Sequence, residues 1–372
     1  MYKCYRYRIY PTKSQAVELD KQFGMCRFVY NYCLDLQTKE YQTNQKKLSK
    51  YDLQKKITIL KRNNEWLKEG MSQALCRETE NLEKAYTNFF KKIAKFPKFK
   101  SRKNDRQSFT IPQHFRLEEN NKLHVPKLGK IKIIVHRKVP SDKLTSLTIS
   151  KVATGKYYAS INFQIDEFYP DLKPIDENQA IGIDLGIKTF ATLSNSIEIE
   201  NPKFLRKSLR KLKRLQRRHS KKHKDSNNRE KSRVKLTNLY EKITNKRIDF
   251  LHQVTCKLTN EYNTICLETL KIKNMVKNHK LAQALSDVAI GTFNRQIEYK
   301  AKLKGVNIIR IGQFEPSSKM CSCGTINKEL KLKDRIWVCT ECGSVNDRDL
   351  LAAQNIKRFA FAKINTVGTT EI

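Results

Sequence analysis

Acidic residues are scarce in this 372-residue chain: 37 Asp and Glu stand against 75 Lys and Arg, a formal charge of +38. A compact protein with that excess repels itself until a polyanion neutralises it. Nucleic acid is the polyanion that fits, through salt-dependent contacts to phosphate. Long apolar runs are missing too, and nothing approaches the roughly 20 residues of a spanning helix. Residues 1–10 alternate basic and aromatic side chains and lack the apolar core of a signal peptide. No basic amphipathic helix stands at either terminus, which weighs against a membrane-surface protein. The chain is therefore expected to be cytosolic, with no membrane partner. No internal repeat is apparent, so a solenoid is not expected. A ribosomal-type structural protein would usually be shorter. At 39% hydrophobic and 30% charged residues, two or three folded domains are expected.

Cysteines are present, ten of them, and a reducing compartment argues against disulfides. Cys4, Cys26, Cys33, Cys76, Cys256 and Cys266 are scattered among apolar neighbours and are expected to fill core space. The other four cluster as Cys321-Ser-Cys323-Gly and Cys339-Thr-Glu-Cys342-Gly. The second pair has the two-residue gap of a structural zinc site, and the first is one residue short of it. The glycine after each pair suits a tight knuckle turn. One structural Zn²⁺ is the expected occupant, with Asp334 or Glu341 as possible helpers; four reduced surface thiols are the alternative.

Along the chain, residues 3–10 read as a strand closed by Pro11, and Thr12-Lys-Ser-Gln15 fits a capping box. Ala16, Leu19, Phe23, Cys26, Val29 and Cys33 follow at helical spacing, and further helices are expected over about 51–67 and 72–93. Residues 96–103, Phe-Pro-Lys-Phe-Lys-Ser-Arg-Lys, interleave aromatic and basic side chains, as stacking plus phosphate pairing would require. Lys98, Lys100, Arg102 and Lys103 are candidate contacts there, the alternative being a solvated loop. From 123 to 165 the pattern turns to strands, with a hairpin about Thr154-Gly155. The acidic, proline-bearing stretch 166–178 is the expected domain boundary. Beyond it, 180–194 and 196–200 read as strands. Residues 204–262 read as two basic antiparallel helices broken at 225–228. Arg210, Lys211, Arg214, Arg217 and Arg218 crowd the first helix opposite Leu205, Leu209, Leu212 and Leu215, as a phosphate-facing or merely solvated surface. A strand at 264–270, a helix at 286–302 and a strand at 306–311 follow.

Three acidic positions stand out. Asp184 sits inside the apolar strand Ile181-Gly-Ile-Asp184-Leu-Gly186, where a carboxylate is costly unless it is paired or holds a metal. Glu268 ends the apolar strand Thr264-Ile-Cys-Leu-Glu268. Asp347 and Asp349 open an Ala-rich helix, where acids are favoured by the helix dipole alone. An acid on the first strand of a hairpin, one at the end of a later strand and one on a final helix describe an RNase H-like arrangement. Oxygen ligands of that kind suit Mg²⁺ or Mn²⁺, and two such ions would serve an in-line attack on phosphate.

These residues carry a resemblance. The segments around Asp184 and Glu268, residues 286–301, Pro316 to Gly324 and Asp347-Arg-Asp349 resemble the TnpB family, and the resemblance continues through Arg8-Ile-Tyr-Pro-Thr-Lys-Ser-Gln15 and Pro97-Lys-Phe-Lys-Ser101. TnpB proteins are encoded by bacterial insertion sequences and are related to compact type V CRISPR nucleases. The resemblance implies an α+β multidomain protein. A wedge-like N-terminal β-barrel would span 1–170, with a helical recognition insertion at about 12–95. A RuvC/RNase H-like nuclease domain would span 178–372, with the basic helical hairpin at about 204–262 and a zinc-ribbon insertion at 315–346. It implies an RNA-guided DNA endonuclease that cuts beside a short transposon-associated motif. The catalytic acids would be Asp184, Glu268 and Asp349, holding two Mg²⁺ or Mn²⁺ ions. The partners would be a transposon-derived guide RNA and double-stranded target DNA, around a monomeric protein in a bacterial, nucleoid-associated ribonucleoprotein. Four departures stand against the pattern: Thr269 for Asp, Leu351 for Asn, Asn346 for His, and the short first knuckle. A nuclease-silent guided repressor and a strand-transferring transposase are the alternatives.

Overall fold

The computed structural model describes all residues except 104–105, 142, 276, 332–333 and 368–372. The chain forms two compact units, Met1–Glu167 and Phe168–Ile372, with a mixture of helices and sheets in each.

The first unit opens with strand β1 (Tyr2–Tyr10), whose alternation buries Tyr7 and Ile9 completely. Helix α1 (Lys13–Asn44) starts at the expected capping box: Thr12 Oγ1 accepts from Gln15 N, and Gln15 Oε1 accepts from Thr12 N. A second box, Ser49 with Asp52, starts α2 (Lys50–Arg62). The short α3 (Glu65–Lys68) and α4 (Ser72–Phe90) follow. The chain leaves α4 three residues before the expected end, with Lys92 in a left-handed turn. Six strands complete the unit: β2 (Arg106–Ile111), β3 (Arg116–Glu118), β4 (Lys122–Val125), β5 (Gly129–Ile134), β6 (Leu144–Val152) and β7 (Tyr157–Gln164). They join β1 in one sheet of order β2-β6-β7-β1-β5-β4-β3, antiparallel throughout. Among the described residues no pairing joins β2 to β3, so the expected barrel is met as a seven-stranded sheet and not as a closed one. Helices α1 to α4 are inserted between β1 and β2, and Phe23 of α1 packs on Phe109 of β2 with ring centroids 5.3 Å apart. β2 and β3 lie where the sequence pattern showed no strand; their alternation is too short to register.

The second unit holds a five-stranded sheet of order β10-β9-β8-β11-β12. Strands β8 (Ala180–Leu185) and β9 (Thr189–Leu193) form an antiparallel hairpin, and β10 (Glu198–Glu200) edges it. β11 (Thr264–Glu268) runs parallel to both β8 and β12 (Asn307–Ile311). Parallel strands are covered on both faces, and here the alternation sorts the two layers. Ile265 and Leu267 join the core built by Leu251, Phe293 and Ile297, while Cys266 joins Ile356 and Ala360. The helices in question are α6 (Asn227–Glu261), α9 (Ile290–Lys304) and α10 (Arg348–Val367). Deleting a side chain such as Phe293 from this core costs about 3–5 kcal/mol.

Helix α5 (Phe204–Ser220) packs along α6, with Gln216 Nε2 donating to Tyr240 Oη. The break lies at 221–226, slightly earlier than the polar run suggested, because Ser226 caps α6 by accepting from Arg229 N. The helix expected at 286–302 is two: α8 (His279–Val288) and α9 are separated by Ala289 in a left-handed conformation at φ +55°. A four-residue α7 (Ile272–Met275) precedes them. Strands β13 (Ile336–Val338) and β14 (Val345–Asp347) form a small hairpin leading straight into α10. Among the described residues no helix is long and apolar enough to cross a membrane. Cys26, Cys33 and Cys266 are buried as expected, but Cys4 and Cys256 are exposed: Cys4 falls on the outward side of the β1 alternation, and Cys256 faces away from the Leu251–Leu258 stripe of α6.

Candidate active site and cysteine centre

Asp184 lies near the end of β8. The parallel register pairs Ile183 with Leu267, so Glu268 stands one step on, beside Asp184 at the same end of the sheet. The third acid comes by helix packing. α10 crosses β8 so closely that a Cβ on Gly182 would sit 2.1 Å from the Ala353 carbonyl oxygen. Only glycine allows that approach, and Ala353 is one helical turn after Asp349. Asp349 thus lines a cleft of about 500 Å³ with Asp184, Lys188, Lys203, Arg206 and Arg335. Burial, together with the charges of Glu268 and Asp349, pushes the Asp184 carboxyl up to about 7, against a smaller opposing pull from Arg348 and Arg335. Burial is the larger cause, and the repulsion of the two neighbouring carboxylates adds to it.

The neighbours of these acids are fixed. Ser317 Oγ donates to Glu268 Oε1, and Arg335 Nη1 donates to both oxygens of Asp349 at 2.8 and 2.9 Å. Asp347 is used differently: its Oδ1 accepts from the backbone of Asp349 and Leu350, capping α10. Neither Arg335 nor Ser317 was singled out from sequence as a partner of the acids. Ser317 falls in the segment 316–324, but its role depends on a contact across 49 positions, and Arg335 carries no local signal at all. A half-buried pair stands nearby: Asp287 accepts from Arg247 Nη2 at 2.9 Å and from the backbone of Leu205 and Arg206, anchoring the start of α5.

The four clustered cysteines converge, with all sulfurs within 4.8 Å of one another. Cys321 and Cys342 are 3.7 Å apart, and Cys323 and Cys339 are 3.6 Å apart. Four thiolates held tetrahedrally at about 2.3 Å from zinc would stand about 3.8 Å from each other, so the set fits a structural zinc ion despite the short first knuckle. Gly324 and Gly343 take the left-handed turns that close the two knuckles, at φ +98° and +68°. Among the described residues neither Asp334 nor Glu341 joins this cluster; Asp334 instead accepts from Lys331 N. Ser344 Oγ, 3.1 Å from Cys321 Sγ, pulls that thiol down to about 5, toward the thiolate that zinc takes. Asn346, buried, donates to Cys321 Sγ and to Ser344 O. Of the other departures, Leu351 packs into the apolar cluster of Leu330, Trp337 and Cys339, and Thr269 Oγ1 donates to Ile311 O.

The basic candidates divide. Arg210, Lys211, Arg214, Arg217 and Arg218 are all exposed and, among the described residues, none pairs with a carboxylate. Lys98, Arg102 and Lys103 are exposed too. Lys100 is ion-paired: its Nζ lies 2.6 Å from Glu78, whose side chain is 1% exposed, and 3.9 Å above the Tyr30 ring. It anchors its loop by an ion pair.

Three family models match. The IS605 OrfB model, described as "Probable transposase", covers residues 163–279 and so includes Asp184 and Glu268. A Cas12f1-like TNB domain model covers 291–356, which holds the cysteines and Asp349. A helix-turn-helix model covers 1–46, where the structure has one strand and one 32-residue helix. Two relatives are named "Putative RNA-guided DNA endonuclease". One, from Streptomyces pristinaespiralis, is 36% identical over 95% of this chain and 88% of its own length. The other, InsQ from Escherichia coli K12, is 31% identical over 95% and 91%. Among solved structures, the Cas12f1 chain of a complex with single guide RNA and target DNA aligns with a TM-score of 0.57 at 13% identity, covering 91% of this chain and 82% of that one, a likeness of fold. With relatives this similar over nearly the whole length, the chain belongs to the TnpB family of IS605 OrfB proteins.

Proposed function

We propose that this chain is an RNA-guided DNA endonuclease encoded by a transposable element, with Asp184, Glu268 and Asp349 as its catalytic acids. The observation that carries the reading is that Asp184 of β8 and Asp349 of α10 line one basic cleft, with Glu268 of β11 near enough for its charge to help raise the Asp184 carboxyl to about 7. A donor set of hard oxygens alone suits Mg²⁺ or Mn²⁺. When bound, two such ions supply Lewis-acid activation of water and charge neutralisation at a phosphodiester. The chain's own groups do the rest. Ser317 orients Glu268, Arg335 steadies Asp349 and offers positive charge beside it, and Lys188, Lys203 and Arg206 draw a phosphate backbone into the cleft.

In this reading the second unit is a RuvC-type, RNase H-like domain spanning 178–372 with a zinc-ribbon insertion at 315–346. The hairpin at 204–262 grips nucleic acid with Arg210, Lys211, Arg214, Arg217 and Arg218. Residues 1–170 act as a wedge-like sheet with a helical insertion at about 12–95, and Lys98, Arg102 and Lys103 add phosphate contacts. A transposon-derived guide RNA reads the target by base pairing, and the protein reads backbone shape and a short motif beside the target.

The names of the two bacterial relatives support this reading. The description of the matching family model favours a second one, in which the same acids join DNA ends. The test is to purify the chain from cells carrying its flanking DNA, sequence the RNA that comes with it, and assay matched double-stranded DNA with Mg²⁺. Guide-dependent breaks support the endonuclease. Joined products carry the transposase, and binding without cutting or joining overturns both.

A further inference from the structure

The second half of α4 and the loop after it place four aromatic rings together at the edge of the core, with Tyr86 packed against it. Phe96 meets Tyr86 and Phe89 edge-on at 5.7 and 5.4 Å, and Phe90 lies near-parallel to Tyr86 at 6.4 Å. With Tyr41 and Gln42 of α1 they wall an apolar groove of about 470 Å³. Phe90 is 70% exposed and Tyr41 57%. A cluster of rings left this open is either covered by something or is a liability in water.

The surrounding charge says what covers it. From Lys84 to Lys103 the chain has eight Lys or Arg and no acid. Lys47 stands on the groove wall, and Lys91, Lys92, Lys95 and Lys98 follow directly on the aromatic turn. Among the described residues none of these five pairs with a carboxylate. A second copy of the same surface would bring two cationic rims together and be repelled. A strand that presents flat, unstacked bases on a polyanionic backbone matches both the rings and the rim.

We propose that this groove is a stacking site for an unpaired base of single-stranded RNA, with Phe90 and Phe96 as the ring contacts and the Lys91–Lys98 segment on the flanking phosphates. The proposal rests on the reading of the chain as an RNA-holding protein, and deepens it by naming a site for a strand that is not in duplex. Lys100, tied to Glu78, holds the loop that carries Phe96.

The test uses full-length Phe90→Trp, read as a difference against the wild-type chain because Trp66 and Trp337 are also present. The probes are an oligouridylate of about 12 nucleotides and an abasic strand of equal length and charge, within the site sizes of such proteins. The expected result is quenching of the new tryptophan by oligouridylate and not by the abasic strand. A Phe90→Ala/Phe96→Ala chain with an unchanged melting temperature should bind oligouridylate about tenfold more weakly and the abasic strand equally well. Equal quenching by both strands, no quenching by either at saturation, or unchanged oligouridylate affinity of the double variant would overturn the proposal. So would a blue shift that grows with protein concentration alone, which would put a second copy in the groove. The readout needs no guide and no metal. A chain that fails to cut guided DNA but shows the base-dependent quench loses only the nuclease reading, and one that cuts without it loses only the groove.

Discussion

The acid cluster and the cysteine cluster sit in the same unit, joined by the β13–β14 hairpin, and Asp184 and Cys321 within them are pushed in opposite directions. In the cysteine centre hydrogen bonds from Ser344 and Asn346 already favour charge on Cys321, and the sulfurs stand at the spacing that zinc imposes. In the acid centre burial and neighbouring charge work against ionisation, so Asp184 keeps its proton to about pH 7. Perturbation against ionisation, as at Asp184, is of the kind that clusters at functional sites. Gly182 makes the acid cluster possible by letting α10 approach, and the hairpin ends at Asp347, which caps the same helix. The two centres therefore share a backbone but not a logic.

Removing an acid should break function and leave the fold. Asp184→Ala is expected to lower guided cleavage by at least about a thousandfold while target binding stays within a few-fold, measured by cleavage and gel-shift assays on one ribonucleoprotein preparation. Removing a sulfur should do the reverse. Cys339→Ser is expected to release about one zinc per chain and to unfold residues 315–346 locally, because structural zinc contributes folding energy directly. Metal analysis and limited proteolysis read this, and a wild-type chain purified without zinc would sink the expectation.

The acid centre also predicts a pH effect. Folded, Asp184 binds its proton up to about pH 7; its ordinary value is 3.8. Between these values the folded chain holds the extra proton, so stability falls as pH rises through that window, by about 2–4 kcal/mol. Without divalent metal, Asp184→Asn should melt above wild type at pH 8, by a smaller margin at pH 5, and match it only near pH 4, and Mg²⁺ should raise the wild-type melting temperature at pH 8. A lower melting temperature for the variant at both pH values would contradict the repulsion. The smallest effect should come from Ser317→Ala, which removes the donor to Glu268. It is expected to weaken the apparent Mg²⁺ affinity in cleavage about tenfold with little change in melting temperature.

Much of the second unit was legible because its signals are local. The apolar strands around Asp184 and Glu268, the buried face Ile290, Phe293, Ile297 and Ala301, and the Ser226 break between two basic helices are spelled out by neighbouring residues. The capping box at Thr12 in the first unit is of the same kind. What escaped depends on residues distant in the chain. Lys100 reads like its basic neighbours until Glu78, 22 positions away, is found paired with it. Arg335 has no pattern of its own and matters because a hairpin turns it onto Asp349. Ala289 breaks a helix that its composition would continue.

The sequence by itself determined that the chain is a polycation, which residues are apolar strand and helix faces, that single acids interrupt apolar strands, and that four cysteines gather in one stretch, because composition and periodicity are properties of neighbours along the chain. Only the tertiary structure decided that Asp184 and Asp349 share a cleft with Glu268 close enough for its charge to be felt, that a one-residue knuckle still closes a four-sulfur centre, and which lysines keep their charge free. Each of these is set by packing between segments tens of residues apart, where a glycine's missing Cβ or a buried carboxylate fixes the outcome.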